Sequence, residues 1–528
     1  MKTKLYILPL AIAGIMSACV EDEGSYTYTE VNEIKIEGIE DAYDALAFLD
    51  TVRITPTVTG SLTGEDISDY EFTWYRCSNN HTHDTISHEK DLVWKADVQP
   101  GTHNIYLSVK DNTTGYDLNY RTSIKASSPY TRGFLILGNR PNDDLIGLDM
   151  LTMVAGRDTT YVQDVFDNSE HQLRKAKSLV YTGYYLARTR FYLITEEGAY
   201  NLTFSESFDL IAEFNQLGII EPLVPHKIPM KMMDVAIKQG VLRSYTYTYP
   251  RVYLTEDYAF ACRPSASEYM TEPFNKYNVL SSEYFKFYPY VFYNTRKNYL
   301  NSPTAGSSYS PIMLYDMDND CFSYVSVYAL NAMQAMQNSP SHGGVWMNNK
   351  PYGRTIVYGE NDYTSGNGYC NAIMKDAQDN YYLYRFVVSM PTYSFGAVIP
   401  QITNGNSYNL DLSILTDFDK REQIFFSSYY TLMYYSVGNT LYAYDYVNKT
   451  IASKVFDGKI SYLAPEVSSN IANNSWYWVA TYDGTKGHIY KMVTSNDPNK
   501  IDFIDLPNQN WEVNLEVKSI LWKGQSSY

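Results

Sequence analysis

Tyr434-Tyr435-Ser436-Val437-Gly438-Asn439-Thr440-Leu441-Tyr442-Ala443-Tyr444-Asp445 reads as two short strands joined by a Gly-Asn turn. Aromatic and aliphatic residues suit a pleated surface, and a Gly-Asn pair tolerates the positive φ that a tight reversal needs. The same order recurs four more times. Phe134–Leu137 runs through a polar turn at 139–144 into Leu145–Asp149, and Phe191–Ile194 through Glu196-Glu197-Gly198 into Tyr200–Leu202. Ala372–Met374 is followed by Gln378-Asp379-Asn380 and Tyr382–Tyr384, and Trp478–Ala480 by Asp483-Gly484 and His488–Lys491. A strand ending in an Asp turn is also repeated: Tyr315-Asp316-Met317-Asp318-Asn319 is echoed by Tyr444-Asp445-Tyr446-Val447-Asn448.

The repeats begin about 44 residues apart (434 to 478) and about 60 apart (374 to 434), the spacing of four-stranded propeller blades. Residues 130–528 at this spacing predict a β-propeller of about seven blades; a pair of β-sandwiches is the alternative. Ser326 to Gln337, with Leu330, Met333, Ala335 and Met336, is expected to form a short inserted helix.

Ahead of this region, strands are expected at Val31–Ile39 and Thr51–Val58, and Tyr70, Phe72 and Trp74 alternate with polar residues. Ile105–Asp111 runs into the turn Asn112-Thr113-Thr114-Gly115, and Tyr120–Lys125 follows. About seven short strands around one central Trp over residues 31–126 predict an Ig-like sandwich. Ser127-Ser128-Pro129 is the expected boundary, and the whole chain is expected to be all-β.

The first residues give an address. Lys2 and Lys4 precede an apolar run from Leu5 to Met16, too short for a spanning helix of roughly twenty residues. Ile15-Met16-Ser17-Ala18-Cys19 resembles the lipobox cut by bacterial lipoprotein signal peptidase. Residues 1–18 are then a signal peptide, and 19–30 a linker lipidated at Cys19; an ordinary secreted protein is the other reading. Glu21, Asp22 and Glu23 resemble the acidic signal that exports Bacteroidetes lipoproteins to the cell surface, although a solvated acidic linker has the same composition.

Net charge falls from -17 to about -19 once Lys2 and Lys4 leave with the signal, which argues against nucleic acid as a partner. Cys77, Cys262, Cys321 and Cys370 lie far apart, so a disulfide scaffold is not expected. The composition stands out in its 53 Tyr against 21 Phe. Tyrosine serves both twisted antiparallel sheets and wet binding faces, and composition does not separate the two uses.

Chemistry-bearing motifs are sparse. His81, His83 and His88 have alternate spacing that a zinc site uses, but their flanks read as an exposed loop. Asp316–Asp320 starts like a calcium loop and fails at Cys321, where Gly is needed. No nucleophile elbow or zinc-protease motif occurs, and no cofactor is expected. Two stretches depart from the blade pattern, 284–310 and 339–369. Tyr288, Tyr299, Trp346, Tyr352 and Tyr363 within them are the candidate ligand contacts, since binding residues concentrate on loops of a rigid scaffold.

Cys19 with its acidic follower, the phrase Glu23-Gly24-Ser25-Tyr26-Thr27-Tyr28-Thr29-Glu30, the turn after Val109-Lys110-Asp111 and the Tyr-rich remainder together resemble the PKD-like family of Bacteroidetes surface lipoproteins. The resemblance implies a protein lipid-anchored to the outer membrane. It further implies an accessory nutrient-binding or scaffold role beside a SusC-like TonB-dependent transporter and a SusD-like lipoprotein, with an oligosaccharide or peptide as ligand. It supplies no catalytic motif. A propeller-based glycosidase or polysaccharide lyase and a purely structural surface protein are the other two classes the sequence leaves open.

Overall fold

The computed structural model describes residues 30–77, 83–154, 158–182, 190–202, 210–213, 234–236, 251–262, 272–294, 312–326, 329–336, 353–362, 367–389, 401–467, 475–495 and 500–523. The chain divides into two compact units between Ser128 and Pro129. Among the described residues both are built from strands without an α-helix, and no helix is long and apolar enough to cross a membrane.

The first unit holds β1 (Ile34–Glu37), β2 (Ala42–Leu46), β3 (Thr51–Ile54), β4 (Thr57–Gly60), β5 (Tyr70–Cys77), β6 (His83–Ser87), β7 (Leu92–Lys95), β8 (Gly101–Asp111) and β9 (Asp117–Ser127). A five-stranded sheet runs β2-β9-β8-β5-β6, and β1 pairs with β4 and β3 with β7. Nine strands stand where about seven were expected, partly because Pro56, without an N–H, cuts the stretch 51–58 into β3 and β4. Alternation decides the core: Ile34, Ile36, Val52, Ile54 and Val58 of the short pairs meet Trp74, Ile105, Leu107, Val109 and Ile124 of the large sheet. Trp74 is fully buried and donates its indole N–H to the Lys90 carbonyl at 3.1 Å. Asp111 ends β8 by accepting the Thr113 N–H at 2.8 Å and the Asn32 amide at 3.1 Å; these bonds, the Asn32 one first, hold its carboxyl below the usual range.

Among the described residues of the second unit, seven sheets follow one another. The first contains β10 (Gly133–Asn139), β11 (Ile146–Thr152) and β12 (Thr160–Val162); the second β13 (Ala176–Thr182), β14 (Arg190–Thr195), β15 (Ala199–Leu202) and β16 (Leu210–Glu213). The third has β17 (Asp234–Ala236), β18 (Arg251–Leu254) and β19 (Ala259–Cys262), and the fourth β20 (Ile312–Asp316), β21 (Cys321–Ser326) and β22 (Ala329–Ala335). In the fifth are β23 (Thr355–Asn361), β24 (Tyr369–Lys375), β25 (Tyr381–Ser389) and β26 (Gln401–Asn409). The sixth consists of β27 (Gln423–Phe426), β28 (Leu432–Val437), β29 (Thr440–Asp445) and β30 (Thr450–Val455); the seventh of β31 (Lys459–Pro465), β32 (Tyr477–Tyr482), β33 (Gly487–Thr494) and β34 (Phe503–Val513). Finally β35 (Glu516–Lys523) returns to the first sheet and pairs antiparallel with β10. It also packs beside β13 and β31, so the run of sheets closes on itself in a propeller-like manner.

All five hairpins read from the sequence are antiparallel pairs: β10 with β11, β14 with β15, β24 with β25, β28 with β29 and β32 with β33. The echoed Asp turns are the same structure twice. Asp316 Oδ1 accepts the N–H groups of Asp318 and Asn319 at 2.9 and 3.0 Å, and Asp445 Oδ1 those of Val447 and Asn448 at 2.9 Å each. The helix expected at 326–337 is instead the strand β22, paired with β21. Met333 and Met336 are both buried but, three apart along a strand, they enter different clusters, Met333 the one shared with β18 and β19 and Met336 the one shared with β23, β24 and β25.

Several tyrosines tie neighbouring sheets together. Tyr358 and Tyr462 each follow a β-bulge in the first strand of their sheet and donate to a carbonyl of the next sheet, Ile424 at 2.6 Å and Ile520 at 3.3 Å. Tyr315 donates to Arg354 O at 3.0 Å, and the Tyr192 and Tyr253 hydroxyls meet at 3.1 Å. Each ring fills the seam with apolar area while its polar tip finds a partner.

Candidate functional site

The first strands of the fifth and sixth sheets run side by side in the same direction. Two contacts at their far ends establish this: Phe426 N–H donates to Glu360 Oε2 at 2.9 Å, and Ser428 Oγ to Asp362 Oδ1 at 2.5 Å. On the other flank the buried Asn361 amide donates to Val291 O at 2.8 Å and accepts from Tyr293 N–H at 3.3 Å. Residues 288–293 in turn bond β20 through Tyr288 N to Tyr315 O and a reciprocal pair between Phe292 and Met313, each at 2.9 Å. Strand ends of the fourth, fifth and sixth sheets therefore gather at one place.

A polar row crosses the fifth sheet there. Glu360 of β23 stands opposite Asn371 of β24, which stands opposite Arg385 of β25. Glu360 is half-buried, yet protein encloses it so closely that loss of hydration pushes its carboxyl up to about 8, with Asp362 adding to the effect. Phe426 N–H, the Tyr358 hydroxyl and Arg385 pull the other way and lose. Arg385 Nη1 donates to the Tyr446 hydroxyl at 2.5 Å, and its guanidinium lies 4.3 Å from the Tyr369 ring centre.

A second polar feature occupies the seam between the seventh and first sheets. Glu466 Oε2 lies 2.5 Å from Lys491 Nζ, and both side chains are almost wholly buried. The ammonium sits 4.0 Å from the Trp476 ring centre, 5.4 Å from Trp478 and 5.7 Å from Phe134. Trp511 and Trp522 complete the same apolar cluster.

The residues singled out from the sequence are dispersed. Cys19, Glu21, Asp22, Glu23, His81, Tyr299, Trp346, Tyr352 and Tyr363 lie outside the described residues. Tyr288 is half-buried against the core of the fourth and fifth sheets, its hydroxyl on Val357 O at 3.4 Å. Described flanks separate the remaining candidates. The stretches holding Tyr299 and Tyr363 follow Asn294 and Asp362, at the gathered strand ends, whereas the stretch holding Trp346 and Tyr352 leads into Arg354 beside Tyr315, at the other end of β20. His83 and His88 are exposed, with His83 stacked on Tyr75 at 4.8 Å and His88 Nδ1 3.3 Å from Thr73 Oγ1. Among the described residues no group of three or more His, Cys, Asp or Glu could hold a metal ion. Cys77, Cys321 and Cys370 are free thiols. The polar row through Glu360 was missed in the sequence because register brings it together.

These features define an all-β protein of two units. Residues 19–172 match the PKD-like family, a stretch that covers the first unit and extends through β12 of the second. No curated protein matches the chain. Among solved structures, a quinonprotein alcohol dehydrogenase-like protein of Bacteroides thetaiotaomicron VPI-5482 is similar at 11% identity, over 92% of this chain and 97% of that one, with a TM-score of 0.35. The extracellular domain of a protein described as a hybrid two component system, from B. thetaiotaomicron, is similar at 10% identity, over 90% and 62%, with a TM-score of 0.33.

Proposed function

We propose that the protein is a lipid-anchored surface lipoprotein of the outer membrane, tethered through Cys19, with a PKD-like first unit and a seven-bladed β-propeller as its ligand-binding body. In this reading it is a non-enzymatic accessory subunit of a SusC/SusD-type importer, holding an oligosaccharide or peptide. One observation carries the binding half of the proposal. The connections containing Tyr299 and Tyr363 leave from strand ends that Asn361 stitches together, so two Tyr-bearing segments start from one rigid place. The PKD-like match from residue 19 onward supports the assignment of the first unit.

The test uses the full-length protein in its native membrane. Mild detergent extraction and affinity capture should recover a TonB-dependent transporter and a SusD-like lipoprotein; recovery of the chain alone would remove the importer reading. Binding to arrays of oligosaccharides and peptides should be lost when residues 296–310 are replaced by a short Gly-Ser linker and kept when 338–351 are so replaced. The reverse pattern would move the binding end to the other side of the sheets.

A further inference from the structure

Asn371 is 3% exposed, and its Oδ1 has no hydrogen-bond partner and less than 1 Å² of accessible surface. A buried amide oxygen without a donor costs about 1–3 kcal/mol, so a native structure supplies one. Bulk water is a poor donor here, because less than 1 Å² of the atom is accessible. A protein group already beside it is the donor to look for. Two side chains flank Asn371 on its face of the sheet, Glu360 on β23 and Arg385 on β25. Arg385 is turned toward Tyr446 and the Tyr369 ring. Glu360 stands directly opposite, at a register position where Cβ atoms lie about 4.5–5.5 Å apart. Its Oε2 accepts from Phe426 N–H at 2.9 Å, while the Tyr358 hydroxyl, 3.4 Å from Oε2, spends its single proton on Ile424 O; Oε1 is left unengaged.

We propose that Glu360 carries a proton in the folded protein and donates through Oε1–H to Asn371 Oδ1, so that the seam between the fifth and sixth sheets loosens when this carboxyl ionises. The neutral acid fits the row: Oε2 takes the Phe426 N–H from β27, and the hydroxyl fills the orphan acceptor. The ionised form turns a charged oxygen toward an amide oxygen, and the two repel. The titratable and charged groups facing Glu360 agree with this. Tyr358 of β23, Asp362 just beyond it and Arg385 of β25 act on Glu360, Tyr288 lies against Tyr358, and Tyr369 and Tyr446 engage Arg385; among the described residues no ion pair to Glu360 is formed. Enclosure, which lifts the carboxyl to about 8 from an ordinary value near 4.5, acts in the same direction.

The sign follows from linkage. A carboxyl raised in the folded state is protonated there while the unfolded chain has already released its proton, so stability falls as pH rises from about 4.5 to about 8 and then levels. Thermal melting of the full chain between pH 5.5 and 9.5 tests it. Wild type should lose melting temperature toward pH 8, while Glu360→Gln, a neutral donor at every pH, should lose less and melt above wild type at pH 9. Parallel profiles for the two proteins would overturn the proposal. Infrared spectra of wild-type protein labelled with 13C-glutamate need no variant. A protonated glutamate carbonyl band present at pH 7 should vanish as pH rises through about 8, and its absence at pH 7 would refute the assignment.

Discussion

Replacing Lys491 with Met should cost about 3–5 kcal/mol, because it strands the Glu466 carboxylate in the seam between the seventh and first sheets. Both side chains are nearly inaccessible, at 6% and 2%, and their charges are 2.5 Å apart. At an effective dielectric near 20 the gross attraction at that distance is about 7 kcal/mol. Most of it is offset by dehydrating both ions, so the pair as a whole contributes little net stability while each member depends on the other. Glu466→Gln should cost a similar amount, since it leaves an ammonium among Trp476, Trp478 and Phe134 without a counter-charge, held only by ring faces and a neutral amide oxygen. The double variant Lys491→Met/Glu466→Gln should then cost less than the larger of the two singles, with a coupling energy of about 2 kcal/mol or more. Urea unfolding of the four proteins, followed by tryptophan fluorescence from this Trp-rich cluster, measures the cycle. Singles that each cost under about 1 kcal/mol, or a double equal to their sum, would refute the reasoning.

Removal of one inter-sheet hydroxyl at a time should be mild. Tyr315→Phe and Tyr462→Phe each lose one bond to a carbonyl, worth about 1 kcal/mol, and should add in the double variant because they lie in different seams; urea midpoints check both numbers. Gly458→Ala should destabilise by about 1–3 kcal/mol, because φ there is +93° and a Cβ would lie 2.8 Å from the Tyr482 carbonyl oxygen. Wild-type melting temperature for Gly458→Ala would contradict the described turn. Trp74→Ala should cost about 3–5 kcal/mol through the cavity it opens in the first unit, read as loss of the first unit's resistance to proteolysis.

Hairpins were legible because their information is local. A Gly or Asp turn between alternating aromatic and aliphatic residues reads the same way wherever it occurs, and β28–β29 and β32–β33 show it. Residues 326–337 misled because Met333 and Met336 are three apart, a spacing that a helix uses, whereas here a strand covered on both faces buries them in different clusters. Thr51–Val58 looked continuous until Pro56 sent its halves to different partners. The inter-sheet tyrosines left a trace that composition hid, the repeated Ile-x-Tyr of Ile356–Tyr358 and Ile460–Tyr462, each at a bulge. Glu360, Asn371 and Arg385 left none, since they are far apart in sequence and only the registers of β23, β24 and β25 align them.

Pairing of β10 with β35 joins Gly133 to Lys523, positions 390 residues apart (523 − 133). Hairpins of the sheets between them can form as each emerges from the ribosome, but the first sheet keeps a bare edge along β10 until β35 has been synthesised. Loop-closure entropy grows only slowly with length, so this contact is not forbidding thermodynamically; it is late. An unpaired edge that waits for its partner is a template for another chain's strand. Growing chains of this protein are therefore most exposed to mispairing with one another just before synthesis reaches Glu516, and a helper protein that shields one strand edge would act on β10.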